Sequence, residues 1–226
     1  SRGNLFVHNR PEDVSGVAAG RDIIYSSFNV AGPGALEVSA GRNLWMEDKA
    51  SITSLGPVAV GDSRPGASIV REAGVGLNGL DYLKFVTPYL DRANQAVDGV
   101  ALAGQAGKVA KTYETELLQW LKERYAFSGD ADQARAYFAG LGPEQQRIFA
   151  RSVYFAEVRE GGREFNLSAG PRSGSFVRSR AAIYALLPSK DVAGNPTVYD
   201  GDITLYGGAG VPTPVFSSHL MLPTTF

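Results

Sequence analysis

The chain has 226 residues, 44% of them hydrophobic, with 22 Lys and Arg against 23 Asp and Glu and a net charge of −1. A charge so balanced offers no electrostatic footprint for a polyanion, which argues against nucleic acid as a partner. The absence of cysteine excludes disulfides, thiolate chemistry and cysteine-ligated zinc, and 27 glycines, well above the usual ~7%, point to many turns.

No run approaches the ~20 apolar residues that a membrane-spanning helix needs. The N-terminal SRGNLFVHNRPEDV lacks the apolar core of a signal peptide, so an export signal, if used, lies outside it. From residue 17 a phrase occurs twice. Ala19-Gly20-Arg21-Asp22-Ile23 returns as Ala40-Gly41-Arg42-Asn43-Leu44, an offset of 21 residues. Leu36-Glu37-Val38, Ile23-Ile24-Tyr25 and Leu44-Trp45-Met46 alternate with period two, which reads as short strands. Ala67-Ser68-Ile69-Val70, followed by Ala73-Gly74, is a looser third copy. A unit of about 20 residues cannot bury its own apolar face, so stacking must build the core. The expected fold is therefore mainly β with a helical insertion, a right-handed parallel β-helix (solenoid) interrupted by a helical subdomain. Its coils would lie ~4.8 Å apart. Ile23 would stack over Leu44, Asp22 would sit near Asn43 at a turn, and Gly20 and Gly41 would fill tight corners. A β-sandwich with a repeated turn phrase is the plainer alternative.

The period changes from about residue 79. Tyr113, Leu117, Trp120, Leu121 and Tyr125 follow helical spacing and predict one amphipathic helix over 113–125. Two more helices are expected to follow. Ser128 or Asp130 would cap the first, Gly140 and Gly142 punctuate, and Pro143 suits a first turn. LDYLKFVTPYLDRAN reads as a shorter helix that Pro88 kinks or splits. The expected divisions are 1–78 for β-helix coils, 79–165 for the helical insertion, and 166–226 for resumed β-helix strands with a tail. RAAIYALLP and GDITLY supply those last strands. From Ile203 to Phe226 there is no charged residue, and Val211, Val215, Phe216, Leu220, Met221 and Leu222 require something to pack on.

AGRDIIYSSFNVAGPGALEVSAGRNLW, then SITSLG and GASIV, then the helices, then RAAIYALLP and GDITLY, together resemble one region of large bacterial exoproteins. These are the filamentous-haemagglutinin-like adhesins of two-partner secretion systems, near whose C-terminal end lies a domain of unknown function. The likeness runs from about residue 17 to 206. It implies a domain of a protein secreted by a Gram-negative bacterium through an outer-membrane secretion partner. It also implies a long right-handed β-helix at the cell surface, acting in adhesion, biofilm, virulence or contact-dependent inhibition. It carries no catalytic residues over to this chain.

Several short motifs invite chemistry. Gly74-Val75-Gly76-Leu77-Asn78-Gly79 spells G-x-G-x-x-G, but Asp98, at the distance of a ribose-binding acid, sits in no strand-like stretch. The expected role is an exit from the coils. Gly61-Asp62-Ser63 resembles a nucleophile turn, yet the chain has only His8 and His219 to pair with it. Asp22, Glu37, Glu47 and Asp48 are candidate acids for a polysaccharide-active enzyme. Glu37 is expected to face solvent, and Asp22 to serve the turn. Arg172, Arg178 and Arg180 form the densest basic stretch. Arg178 and Arg180 would share a strand face suited to an acidic glycan, and Trp45, with Tyr25 and Phe28, could stack on sugar. The sequence thus supports a non-enzymatic adhesin-type domain, a shaft or a binder of glycans or cell-surface receptors. Catalytic residues, cofactors and metal ligands are not assigned. The alternatives are a polysaccharide-active β-helix enzyme and a module assisting secretion or delivery of a C-terminal effector.

Overall fold

A computed structural model describes residues 4–46, 50–190, 193–197, 199, 201 and 203–204. Glu47, Asp48, His219 and the apolar residues of the tail lie outside them. The chain divides into two compact units, Ser1–Leu80 with Val192–Phe226, and Asp81–Asp191.

In the first unit, short apolar runs separated by glycine form strands β1 (Asn4–Val7), β2 (Val14–Ala19), β3 (Ile23–Ile24), β4 (Phe28–Ala31), β5 (Ala35–Ala40), β6 (Leu44–Trp45), β7 (Ile52–Ser54), β8 (Ser68–Glu72) and β9 (Ile203–Thr204). They pair in three sheets of three, ordered β1-β4-β7, β2-β5-β8 and β3-β6-β9. Every pairing is parallel. The repeated phrase faces itself: Ala19 opposes Ala40 and Ile23 opposes Leu44. The looser copy joins too, with Leu36 opposite Ile69. Alternation then sends Ile23, Phe28, Val30, Leu36, Val38, Ala40 and Leu44 into one buried cluster.

The chain comes close at both glycines of the phrase, against rigid backbone at Gly41 and against a movable side-chain end at Gly20. A Cβ on Gly41 would lie 2.1 Å from the Gly20 carbonyl oxygen, and one on Gly20 would meet the Leu77 side chain at 2.6 Å. Between them the Asp22 carboxylate accepts the Asn43 backbone N–H at 3.1 Å and the Asn43 side-chain amide at 3.1 Å.

The architecture nevertheless differs from the expected mainly β right-handed solenoid. The strands are short, the three sheets are small and neither closed nor curled, and 36% of the described residues are helical. The physical reason lies in how little is paired. A repeated phrase specifies which residues pair, but each sheet stops at three strands of two to six residues, too few for a long regular shaft. Here the paired offsets are 24 residues from Asn4 to Phe28, 21 from Val14 to Ala35 and 33 from Ala35 to Ser68. The two-residue β9 pairs with β6 only after the whole helical unit has intervened.

The second unit contains helices α1 (Tyr82–Val86), α2 (Glu114–Tyr125), α3 (Ala131–Ala139), α4 (Pro143–Phe165) and α5 (Val177–Leu186). Asp81 caps α1, accepting the Lys84 N–H. Pro88 then starts a 3-10 turn over Thr87–Leu90, so the helix is split there. On α2 the expected stripe turns inward, with Tyr113, Leu117 and Leu121 buried. Ala126 ends it in a left-handed conformation, φ 51°. Asp130 and Gln133 form a reciprocal capping box on α3, and Pro143 opens α4. Among the described residues no helix is long and apolar enough to cross a membrane.

The helical unit extends past the expected limit of 165. Residues 177–186, read as a strand, form α5 against α4. A short run such as AAIYALL satisfies both periods, and the partner decides. Gly161 on α4 lets α5 come close, since a Cβ there would sit 2.6 Å from the Ser179 nitrogen.

Candidate functional site

The helical spacing of α5 places Arg178, Ala182 and Leu186 on its buried face. Arg178 and Arg180, two residues apart, therefore point apart rather than sharing a strand face. Arg180 is exposed. Arg178 is buried in an ion cluster with α4. Its Nε donates to Glu157 Oε2 at 3.0 Å, its Nη2 to Glu157 Oε1 at 2.6 Å, and its Nη1 to Glu164 Oε1 at 3.0 Å. The Tyr113 hydroxyl donates to Glu157 Oε1 at 2.6 Å. Arg172 lies in the α4–α5 connection with its Nε 2.9 Å from Glu164 Oε2, an ion-pair distance at an angle that does not make a hydrogen bond.

Burial acts to lower the Arg178 pKa, but the hydrogen bonds and charge of Glu157, with those of Glu164, outweigh it and hold the guanidinium firmly charged. Burial, reinforced by the hydrogen bond to Glu157, pushes the Tyr113 phenol well up, so it remains a donor. Burial and the Glu157 charge raise Tyr89 as well. Arg178 is thus committed through all three of its nitrogens to this internal network, with its fork turned away from any glycan. Trp45 belongs to the other unit, on β6, and is 40% exposed.

The remaining sequence candidates are used locally. His8 is buried, with Nδ1 2.9 Å from the Pro33 carbonyl and Nε2 2.9 Å from the Ser15 hydroxyl. Asp62 accepts from Arg64 Nε at 2.9 Å, and Arg64 also reaches the Asn9 carbonyl at 2.8 Å. Arg42 binds Asp22 through two nitrogens. Glu37, expected in solvent, is only 4% exposed, on β5 opposite Gly16 of β2 and Val70 of β8. Gly74, Gly76 and Gly79 all have positive φ, as turn residues do. Asp98 lies in a turn rather than at a strand end, so the dinucleotide geometry is absent there. Among the described residues no group of three or more His, Cys, Asp or Glu could hold a metal ion.

Two concave features of the helical unit escaped sequence reading. A polar cavity of about 440 Å³ is lined by Asp91, Arg92, Glu114, Asp132 and Arg135. Its cations are already committed. Arg92 and Arg135 converge on Glu114 at 3.1 and 3.0 Å, and Arg135 also pairs with Asp132. The second is an open groove of about 790 Å³ between α2, the 127–129 turn and α4, lined by Trp120, Phe127, Phe149, Gln119, Glu123 and Ser128 among others. Trp120 packs on Phe149 at 5.4 Å and on Tyr125 at 5.3 Å between ring centroids. Its membership of the buried stripe concealed this role, because half-burial leaves part of the same ring facing the groove. The chain matches no protein-family model, no curated protein and no solved structure.

Proposed function

We propose that the chain is a non-enzymatic, surface-binding segment of a large secreted exoprotein of the filamentous-haemagglutinin-like kind. It would be exported through an outer-membrane partner and displayed at the surface of a Gram-negative bacterium. The observation that supports this reading most is the in-register parallel pairing of the repeated phrase, Ala19 on Ala40 and Ile23 on Leu44. Repeat units that pair side by side suit a presenting support better than a reaction centre. The phrases AGRD and AGRN, and the lack of cysteine in a chain that must thread a pore, agree with it. Of the candidate acids, the two among the described residues are engaged or enclosed, Asp22 by Arg42 and Asn43 and Glu37 by burial.

The test is incubation of the fluorescently labelled chain with bacterial and epithelial cells, alongside a reducing-end assay on a polysaccharide panel. Saturable, competable binding without release of reducing ends is the expected result. Depolymerisation, or no saturable binding to any cell surface, would overturn the proposal.

A further inference from the structure

We infer that the groove beside α2 is a binding site for a short neutral glycan. This deepens the surface-binding reading and rests on it. Its volume of about 790 Å³ falls in the ~300–1,000 Å³ range of small-ligand sites, too small for a protein epitope. Its floor is aromatic. Trp120 and Phe127 are half-buried and Phe149 is buried. Trp120 packs on Phe149 and Phe138, with the Arg124 guanidinium 6.0 Å from its ring, and Phe127 packs on Tyr137, so each of the two half-buried rings keeps part of its surface exposed. Sugar rings present a face of C–H groups, which stacks on such rings.

The rim completes the match. Gln119 and Glu123 lie one helical turn apart on α2 and are joined by a hydrogen bond from the Gln119 amide. Their remaining oxygens accept from sugar hydroxyls, the exposed Ser128 hydroxyl can donate and accept, and Ser152, whose hydroxyl donates to the Phe149 carbonyl at 2.7 Å, can accept. Hydroxyls in pairs, a polar edge and an apolar face are the chemistry of a neutral hexose chain. An anionic glycan fits poorly. It would meet the Glu116 and Glu123 carboxylates against one lining lysine, Lys122, and the nearby Lys111 is already paired with Glu116. With Glu116 matched by Lys111 and Glu123 by one lining lysine, the groove offers no surplus positive charge to hold an anion.

The chain has two tryptophans, so a Trp45→Phe background leaves Trp120 as the only indole reporter. In that background the full chain is titrated with maltohexaose, cellohexaose and mannohexaose, and with a sulfated and a uronic hexasaccharide as controls. The expected result is a saturable change in Trp120 emission with one neutral oligomer. It should weaken at least tenfold in Gln119→Ala/Glu123→Ala, whose exposed side chains can be removed without emptying the core. Circular dichroism checks that this variant is folded. Equal affinity in the double variant, a response to the acidic oligomers alone, or no response to any neutral oligomer each overturns the inference. If the chain binds cells but those oligomers neither bind nor compete, the groove assignment fails while the surface-binding reading stands. If it binds no cell surface, that broader reading fails with it.

Discussion

Arg178 and Glu157 form a two-point ion pair sealed inside the helical unit, with 7% and 1% of their side chains exposed. The pair ties α5 to α4, and the Tyr113 hydroxyl brings in the start of α2. Arg178→Ala strands the Glu157 carboxylate and is expected to cost about 3–5 kcal/mol. Replacing both members by apolar residues of similar volume, Arg178→Met with Glu157→Leu, should recover part of that loss, since Glu157 is no longer left buried alone. Recovery stops short because Glu164 keeps only its ion pair with Arg172 and Tyr113 loses its acceptor. Urea unfolding in the Trp45→Phe background, read at Trp120, measures both. A single variant that unfolds at the parent's urea midpoint would show the cluster to be energetically idle.

Neighbouring glycines on α4 should respond with opposite signs. Gly162 has nothing within 4 Å of where a Cβ would stand, so Gly162→Ala is expected to stabilise by about 0.5–1 kcal/mol through helix propensity. At Gly161 a Cβ would press on the Ser179 backbone at 2.6 Å. There the helix crossing must open, at about 1–3 kcal/mol. Thermal melts of the two variants side by side decide it, and a shift of the same sign in both would contradict the close α4–α5 contact.

In the strand unit, Gly41→Ala drives a methyl group against the carbonyl of Gly20, 2.1 Å away. Backbone cannot swing aside as a side chain can, so the loss should reach at least about 1–3 kcal/mol. With Trp120→Phe, emission from Trp45 follows this unit separately. Gly16→Ala, where a Cβ meets nothing within 4 Å, serves as the control and should unfold at nearly the parent's midpoint.

Asp22 links the strand unit to pH. Hydrogen bonding from the Arg42 guanidinium, aided by the Asn43 backbone and side chain, holds its carboxyl down at about 2. A depressed carboxyl contributes its stability in full above the unfolded value of ~3.9 and loses it as pH falls through the folded one. Carboxyl-carbon NMR should show Asp22 titrating near 2 in the parent. In Arg42→Ala it should move up toward 3.8, and the stability difference between the two proteins should shrink as the pH is lowered through that window. Unchanged titration in the variant would mean that Arg42 is not what holds the proton off.

Features governed by neighbours along the chain were legible in the residues themselves. The spacing from Tyr113 to Tyr125 specified a helix and its buried stripe. Asp130 and Pro143 marked helix starts because capping is a contact within four residues. The repeated AGR phrase identified its own pairing partner, and its second glycine, Gly41, marked a backbone approach that only a missing Cβ permits. Tertiary structure decided what depends on distant partners. Pairing that stops at three short strands per sheet left three small sheets where a regular repeat implied a solenoid. Packing on Gly161 made residues 177–186 a helix, and that choice turned Arg178 inward onto Glu157 while leaving Arg180 in water. Burial on both faces of a central strand enclosed Glu37. A groove arose beside Trp120 because a ring assigned to the core keeps one edge outside it. Local periodicity carries the first kind of information, whereas the second exists only once separated segments meet.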